Sequence, residues 1–212
     1  NTIQQVLDHD LNIRLKVFYF SLEMSKEQKM LAAFSNILYI KEGLRIAPKD
    51  LKSTRVDKVL SQETLEILSK YKPYFDKIEE IVEFIDDIRN PFGIYSFVRN
   101  YAKANGTQYT KKVLFTDNKT GEKFEKVIDD YYEADDPEEY VMVIIDHISL
   151  ISPETKDGVK QGLHAAITEL SSNYLIKLRN KYNYIPVVIQ QQASSQESIE
   201  NLKANKLKPT LD

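Results

Sequence analysis

The sequence predicts an α/β fold built on a mainly parallel β-sheet flanked by helices, and three segments support this prediction. Residues 141–145 are five consecutive apolar residues followed by Asp146, a pattern typical of a strand buried on both faces. A long helical pattern with one apolar side covers residues 159–182. Residues 185–190 then read as a second buried strand, which tolerates Pro186 at its start. Strand–helix–strand units of this kind indicate parallel strands joined by right-handed crossovers.

The elements before this unit are predicted from local signals. Residues 15–21 are rich in β-branched and aromatic side chains and predict a buried strand. Ser25 and Gln28 form a capping-box pattern that begins a helix, and Gly43 ends it. Charged residues alternate with Leu, Ile and Val at helical spacing over residues 50–90, so we expect helices to dominate there.

A helix and a hairpin are predicted in the middle of the chain. Pro91 suits the first turn of a helix that reaches about Ala104. Residues 107–132 then change to a period of two around a turn-rich tip, which predicts a β-hairpin. Seven acids fall within residues 129–139, where a solvated loop is favoured over a metal or protein site.

The composition is that of an ordinary globular domain. Of 212 residues, 42% are hydrophobic and 29% are charged, which excludes a disordered or collagen-like chain. No apolar run approaches the roughly 20 residues of a membrane span, so we expect no membrane partner. The absence of cysteine removes disulfides, thiolate metal sites and cysteine nucleophiles. The net charge of −3 provides no global attraction to nucleic acid.

Polar side chains stand where three predicted strands end. Glu23 follows the first strand, Asp146 ends the second, and residues 190–192 are three glutamines after the third. In open α/β sheets, ligands bind beyond the carboxyl ends of the strands. An Asp there suits Mg²⁺ shared with phosphate oxygens, a Glu can polarise a water for attack on a γ-phosphoryl group, and a Gln can sense that group. Taken singly, each side chain also has a structural explanation, as a cap or a loop residue.

Four segments resemble motifs of one known family. Residues 20–28 read F-S-L-E-M-S-K-E-Q and closely resemble the F-S-L-E-M-S-x-E-Q signature of the DnaB-type replicative helicases. Residues 143–151 are similar to the Walker B strand of that family, residues 185–192 to its next strand, and residues 208–211 to the start of its following motif. Order and spacing match, and the resemblance spans nearly the whole chain. The first signature is specific, whereas a Walker B strand alone is a weak signal.

The resemblance implies roles for three residues. Glu23 would be the catalytic glutamate that activates water, Asp146 the Walker B carboxylate that acts on Mg²⁺, and Gln192 a nucleotide-binding sensor of the γ-phosphate of ATP. His147 stands where the family usually has Tyr, and two glutamines stand in place of Leu-Ser before Gln192. These departures leave the register of the sensor open by one or two positions.

The resemblance also implies a molecular context. Residues 1–212 would be a single RecA-like ATPase domain truncated at both ends, because the chain lacks an initiator Met and stops as a new motif begins. Residues 107–139 would be an insertion made of a β-hairpin and an acidic loop. The parent would be a homo-hexameric DNA helicase that couples Mg-ATP hydrolysis to translocation on single-stranded DNA and to duplex unwinding. Primase or a loader would be a further partner, and the location would be cytoplasmic. Phage-encoded members of the family often carry diverged insertions, so a phage source is expected.

Two alternatives stay open at this stage. Another RecA-fold ATPase, such as a recombinase, shares the strand-end Glu and Asp but usually lacks the S-L-E-M-S-x-E-Q run. A RecA-fold scaffold or loader module without a P-loop is the other, because no two of the six glycines are spaced as in G-x-x-x-x-G-K-[ST]. Without a P-loop, we expect this chain alone to bind ATP weakly.

A basic segment near the end of the chain is the candidate for DNA contact. Residues 177–209 contain six basic residues and two acids, and Lys203 and Lys206 are the candidate phosphate-binding residues. A solvated helix end followed by a surface loop explains the same charges. No aromatic residue interrupts residues 190–201 to stack on bases.

Overall fold

The computed structural model describes residues 5–6, 13–52, 59–156 and 158–191. Within these ranges the strands and helices follow one another along the chain and are labelled here in that order. They are β1 (Arg14–Ser21), α1 (Lys26–Glu42), α2 (Pro48–Leu51), α3 (Gln62–Ile81), β2 (Val82–Ile85), α4 (Pro91–Ala104), β3 (Gly106–Thr116), β4 (Lys123–Ala134), β5 (Glu139–Asp146), a 3₁₀ turn (Ile148–Leu150), β6 (Thr155–Lys156), β7 (Val159–Lys160), α5 (Leu163–Thr168), a π-helical segment (Glu169–Leu175), α6 (Ile176–Tyr182) and β8 (Ile185–Ile189).

A four-stranded parallel sheet lies at the centre, with the strand order β2–β1–β5–β8. In its register Ser21 is opposite Asp146, and Asp146 is opposite Ile189. Three strands therefore end side by side at the same edge. This confirms the predicted α/β fold with a mainly parallel sheet.

Helices cover both faces of the sheet. Successive side chains of β1 point to opposite faces, and each face packs against its own apolar cluster. On one face Val17 packs with residues of α1, α3 and β2: Ile37, Phe75, Ile78 and Val82. On the other face Phe18 and Phe20 pack with a larger cluster from α4, β5 and the α5–α6 region, which includes Ile94, Val98, Val143, Ile145, Leu170 and Leu178. The sheet is the middle layer of three.

Predictions from local capping signals are confirmed. The Ser25 side chain accepts a hydrogen bond from the Gln28 backbone N–H at 3.3 Å, and the Gln28 side chain accepts one from the Ser25 N–H at 3.0 Å. Gly43 ends α1 at a φ of 70°, a conformation that glycine adopts without strain. Helix α4 has the predicted bounds, with Pro91 in its first turn.

Three predictions about individual elements need correction. Strand β8 is not buried on both faces: among the strands that the structure describes it pairs with β5 alone, and Val188 keeps 42% of its surface exposed. Residues 82–85 form strand β2 within the stretch of residues 50–90 where helices were expected to dominate; this strand was not predicted because its apolar run continues the pattern of α3 without a break. The helix predicted from residue 159 begins at Leu163, after the short pair of β6 and β7.

The predicted hairpin is present as a separate two-stranded antiparallel sheet of β3 and β4. The acidic stretch is not a loop throughout, since β4 runs through Ala134, which pairs with Gly106. Two of its acids are paired at its ends: Asp129 pairs with Lys181, and Glu139 accepts a hydrogen bond from the Tyr101 hydroxyl at 2.8 Å. Among the described residues no group of three His, Asp or Glu side chains is arranged to hold a metal ion. No helix in the described ranges is both long and apolar enough to cross a membrane.

Candidate active site

The carboxyl edge of the sheet brings together the ends of β1, β5 and β8. The Leu22 backbone N–H donates a hydrogen bond to the Asp146 carbonyl at 2.6 Å, which ties the chain after β1 to the end of β5. The Gln191 side-chain amide donates to the Glu23 carboxylate at 3.4 Å, which links the segments after β1 and β8. An acid and an amide from strand ends that are 168 residues apart in sequence thus meet at this edge.

Asp146 is the buried acid of the site, with 9% of its surface exposed. Its Oδ2 accepts hydrogen bonds from the Tyr19 hydroxyl and from the Lys29 ammonium, both at 2.5 Å. Burial raises the pKa of Asp146, but hydrogen bonds from Lys29 and Tyr19 and the charges of Lys29 and His147 outweigh it. The pKa therefore lies below the ordinary aspartate value, and the carboxylate is charged at neutral pH. Burial and the bond to Asp146 raise the pKa of Tyr19, which stays a neutral donor.

Sequence reasoning missed Lys29 and Tyr19. A lysine in a helix normally indicates a solvated surface, and a tyrosine within an apolar strand normally indicates core. The signal that was available is spacing: Lys29 lies four residues after the cap of α1, in the helix that directly follows the Glu23 turn. Both side chains line a cavity of about 380 Å³ between the sheet and helices α1 and α3, whose other walls are mainly apolar. A carboxylate on this low-dielectric side of the sheet requires a counter-ion, which Lys29 supplies.

The turn that carries Glu23 is fixed by hydrogen bonds at both ends. The buried Ser21 hydroxyl donates to the Met24 carbonyl at 2.5 Å, and the capped N-terminus of α1 follows directly. Asp86, just after β2, accepts a hydrogen bond from the Lys26 backbone N–H at 2.8 Å. Glu23 is itself exposed, so a water and a ligand have access to its carboxylate. Asp86 was not predicted because the strand that positions it was not.

His147 follows Asp146 and is also buried, with 8% of its surface exposed. Its Nδ1 lies 2.9 Å from the Ser149 hydroxyl. This contact holds the imidazole in the turn after β5, next to the site.

The donor set at this edge fits a magnesium ion held mainly by a nucleotide. Mg²⁺ in nucleotide sites takes one or two carboxylates, together with phosphate oxygens and water. Asp146, at the end of β5, is a buried carboxylate that is charged at neutral pH, as such a site requires. Because Oδ2 accepts hydrogen bonds from Lys29 and Tyr19, the other carboxylate oxygen of Asp146 would be the one available to hold a metal ion or its bound water.

Three predicted site residues, Gln192, Lys203 and Lys206, lie outside the described residues. Gln191, the neighbour of Gln192, is the glutamine that contacts Glu23. In the described part of the predicted basic segment, Lys181 forms an ion pair with Asp129, so its charge is already compensated.

Comparison with known proteins shows a likeness of fold to a solved structure. No model of a known protein family matches the chain, and no curated protein is significantly similar to it. A solved DnaB-like replicative helicase, described together with its interactions with primase, superimposes with a TM-score of 0.51 and 16% sequence identity. The match covers 92% of this chain and 36% of that chain. This chain has a DnaB-like fold. At such low identity the likeness concerns the fold alone, and the chain spans about a third of the length of the helicase.

Proposed function

We propose that this chain is the RecA-like ATPase core of a DnaB-like replicative DNA helicase, a motor that couples Mg-ATP hydrolysis to movement along single-stranded DNA. The observation that carries the proposal is the convergence of Glu23, Asp146 and Gln191 at the carboxyl edge of the parallel sheet. Glu23 and Gln191 are in contact, and the chain beside Glu23 is hydrogen-bonded to Asp146. The fold shared with a DnaB-like helicase and the signature at residues 20–28 support the same assignment.

In this proposal Glu23 is the general base. It accepts a proton from a water whose oxygen attacks the γ-phosphorus, while the bond from that phosphorus to the β,γ-bridging oxygen breaks and ADP leaves. Its exposed carboxylate is oriented by the Gln191 amide and by the rigid turn between Ser21 and Ser25. Asp146 would hold Mg²⁺, which neutralises charge on the phosphate oxygens when bound. Gln192 remains the proposed sensor of the γ-phosphate, and Gln191 occupies one of the positions that the register left open.

The test is nucleotide hydrolysis by the full-length gene product with Glu23→Gln and Asp146→Ala. Glu23→Gln keeps the shape and the hydrogen-bonding capacity of the side chain but removes the base, so we expect turnover to fall at least a hundredfold while nucleotide affinity is retained. Asp146→Ala is expected to weaken Mg-nucleotide binding itself. The matched control is Glu27→Gln, an exposed acid four residues away on α1. Equal turnover in the wild type and in Glu23→Gln refutes the catalytic assignment.

The wider context belongs to the same proposal. We propose single-stranded DNA as the track, a homo-hexamer as the assembly and primase or a loader as a further partner. The DnaB-like neighbour is described with primase, which is the support for that partner. Residues 107–139 are proposed to be an insertion, and Lys203 and Lys206 remain proposed phosphate contacts.

A second candidate function is a scaffold or loader module that does not hydrolyse ATP. Two observations favour it: the sequence contains no P-loop pattern, and the Lys29 ammonium balances the charge of the Asp146 carboxylate. Titration of the full-length protein with a fluorescent ATP analogue and Mg²⁺ separates the two candidates. Saturable binding that Asp146→Ala weakens supports the motor, and lack of binding supports the scaffold.

A further inference from the structure

We propose that one face of the β3–β4 hairpin is a binding surface for single-stranded nucleic acid, which it contacts through exposed aromatic rings and unpaired lysines. The expectation of this partner rests on the proposed function, whereas the surface itself is argued from the hairpin alone. The hairpin is anchored at its base, where the Tyr132 hydroxyl lies 2.9 Å from the Ala102 carbonyl oxygen and 3.1 Å from that of Asn105 and donates its one hydrogen between them. Beyond this base the two strands are largely exposed on both faces.

The register places the phenylalanine pair and two lysines on one face, together with the aliphatic side chains of Val113 and Ile128. Opposite pairs share a face in an antiparallel ladder, and the next pair on that face is two residues further along. Phe115 is opposite Phe124. The next pair on the same face is Val113 and Lys126. Lys111 continues this face, two positions further, and forms an ion pair with Asp130.

The rings on the hairpin are stacked and exposed. The centroids of Phe115 and Phe124 are 6.0 Å apart with an angle of 23° between the rings, and 38% and 48% of their surfaces are exposed. Nearer the base, Tyr109 and Tyr131 stack at 4.5 Å with an angle of 14°. Exposed, pre-oriented rings of this kind offer flat faces on which the bases of a single strand can stack.

Two lysines near the phenylalanine pair have no acidic partner. Lys119, in the turn at the tip, and Lys126, on the ring face, make no ion pair with any residue that the structure describes, and the Lys126 ammonium lies 6.0 Å from the centroid of the Phe115 ring. Residues 111–126 contain five lysines and three acids. Asp117, one of these acids, accepts backbone hydrogen bonds inside the turn at the tip. The free positive charge next to the rings is complementary to a phosphate backbone.

The opposite face of the hairpin provides a matched control. Leu114 and Val127 lie there, with 60% and 58% of their surfaces exposed, next to the ion pair of Lys112 and Glu125. This face has apolar side chains but no aromatic pair. A protein partner that covers apolar surface would use this face as readily as the other, whereas a single strand is expected to prefer the rings.

The experiment is fluorescence anisotropy of a labelled oligothymidylate titrated with the full-length protein in the absence of nucleotide. Phe124→Leu retains an apolar side chain but removes the ring, and we expect affinity to fall about tenfold, while Phe124→Tyr retains it. Replacing Lys119 and Lys126 with Gln is expected to lower the slope of log K against log salt by about 1. The control variants Leu114→Ala and Val127→Ala are expected to bind like the wild type.

Unchanged affinity and salt slope in the ring and lysine variants overturn the proposal and assign the exposed rings to a protein partner. Equal losses in the Leu114 and Val127 controls also overturn it, since they indicate a requirement for the folded hairpin rather than for one face. Glu23→Gln is measured in parallel. No nucleotide is present, so we expect Glu23→Gln to bind the oligonucleotide like the wild type. The outcome for the hairpin variants is then independent of whether the protein hydrolyses ATP.

Discussion

The Lys29 ammonium lies 2.5 Å from the Asp146 carboxylate, although 117 residues separate them in the sequence. The pair joins the first turns of α1 to the end of β5, and Tyr19 from β1 completes it. Side-chain exposure is 19% for Lys29 and 12% for Asp146, so both charges are largely removed from water. The proposed metal carboxylate is therefore held in a defined position before any ligand binds.

Removal of Lys29 is expected to destabilise the protein strongly. Lys29→Met leaves a buried carboxylate without its counter-ion, which costs about 3 kcal/mol of unfolding free energy. The measurement is urea unfolding. The matched control is Lys16→Met, which breaks the ion pair to Glu83, where the acid side chain is 44% exposed, and should cost below about 1 kcal/mol. Equal losses in the two variants contradict the role of Lys29, and Asp146→Asn combined with Lys29→Met should recover part of the loss.

The cap of α1 is expected to contribute measurably because it fixes both the helix and the turn before it. Ser25→Ala removes the acceptor for the Gln28 N–H, and we expect a loss of about 1 kcal/mol in unfolding free energy. Asn100→Ala, at an exposed position inside α4, serves as the control and should cause no loss. If Ser25→Ala is as stable as the control, the capping box does not hold the helix.

Two tyrosines, the buried Tyr184 and the partly buried Tyr101, are expected to limit stability at alkaline pH. Burial and the nearby Tyr132 raise the pKa of Tyr184, and burial together with the bond to Glu139 raises that of Tyr101. A group with a raised folded-state pKa stabilises the fold below its ordinary pKa, which is about 10 for tyrosine, and this contribution is lost as the pH rises above it. Unfolding free energy should therefore fall above that pH.

The variant that checks this mechanism is Tyr184→Phe, which cannot ionise in either state. The free energy of unfolding in urea is measured below and above about pH 10. We expect the two values to differ less in Tyr184→Phe than in the wild type. Tyr140→Phe, at a position with 48% exposure, should leave the difference as in the wild type. An unchanged difference in Tyr184→Phe assigns alkaline unfolding to other groups.

The sequence predicted those parts of the fold that depend on local signals. Ser25, Gly43 and Pro91 act on backbone groups within one turn, so their effect can be recognised without the rest of the chain. The exposure of β8 depends on which strand lies beside it, and the apolar run of residues 185–189 carries no information about that neighbour. Likewise Glu23 and Asp146 were recognised as strand ends, but the Lys29 contact depends on how α1 packs on the sheet.

The last prediction concerns the base of the hairpin. A Cβ on Gly106 would lie 2.3 Å from the Tyr132 hydroxyl oxygen and 2.5 Å from the Glu133 carbonyl oxygen. The carbonyl belongs to the paired strand and cannot retreat without opening the ladder where Gly106 meets Ala134. Gly106→Ala is therefore expected to cost about 1–3 kcal/mol and to lower hydrogen-exchange protection in β3 and β4. Gly162→Ala is the control, because a Cβ there meets nothing within 4 Å. Equal stability and protection in the two variants contradict a tightly packed base, and with it the rigid presentation of the rings.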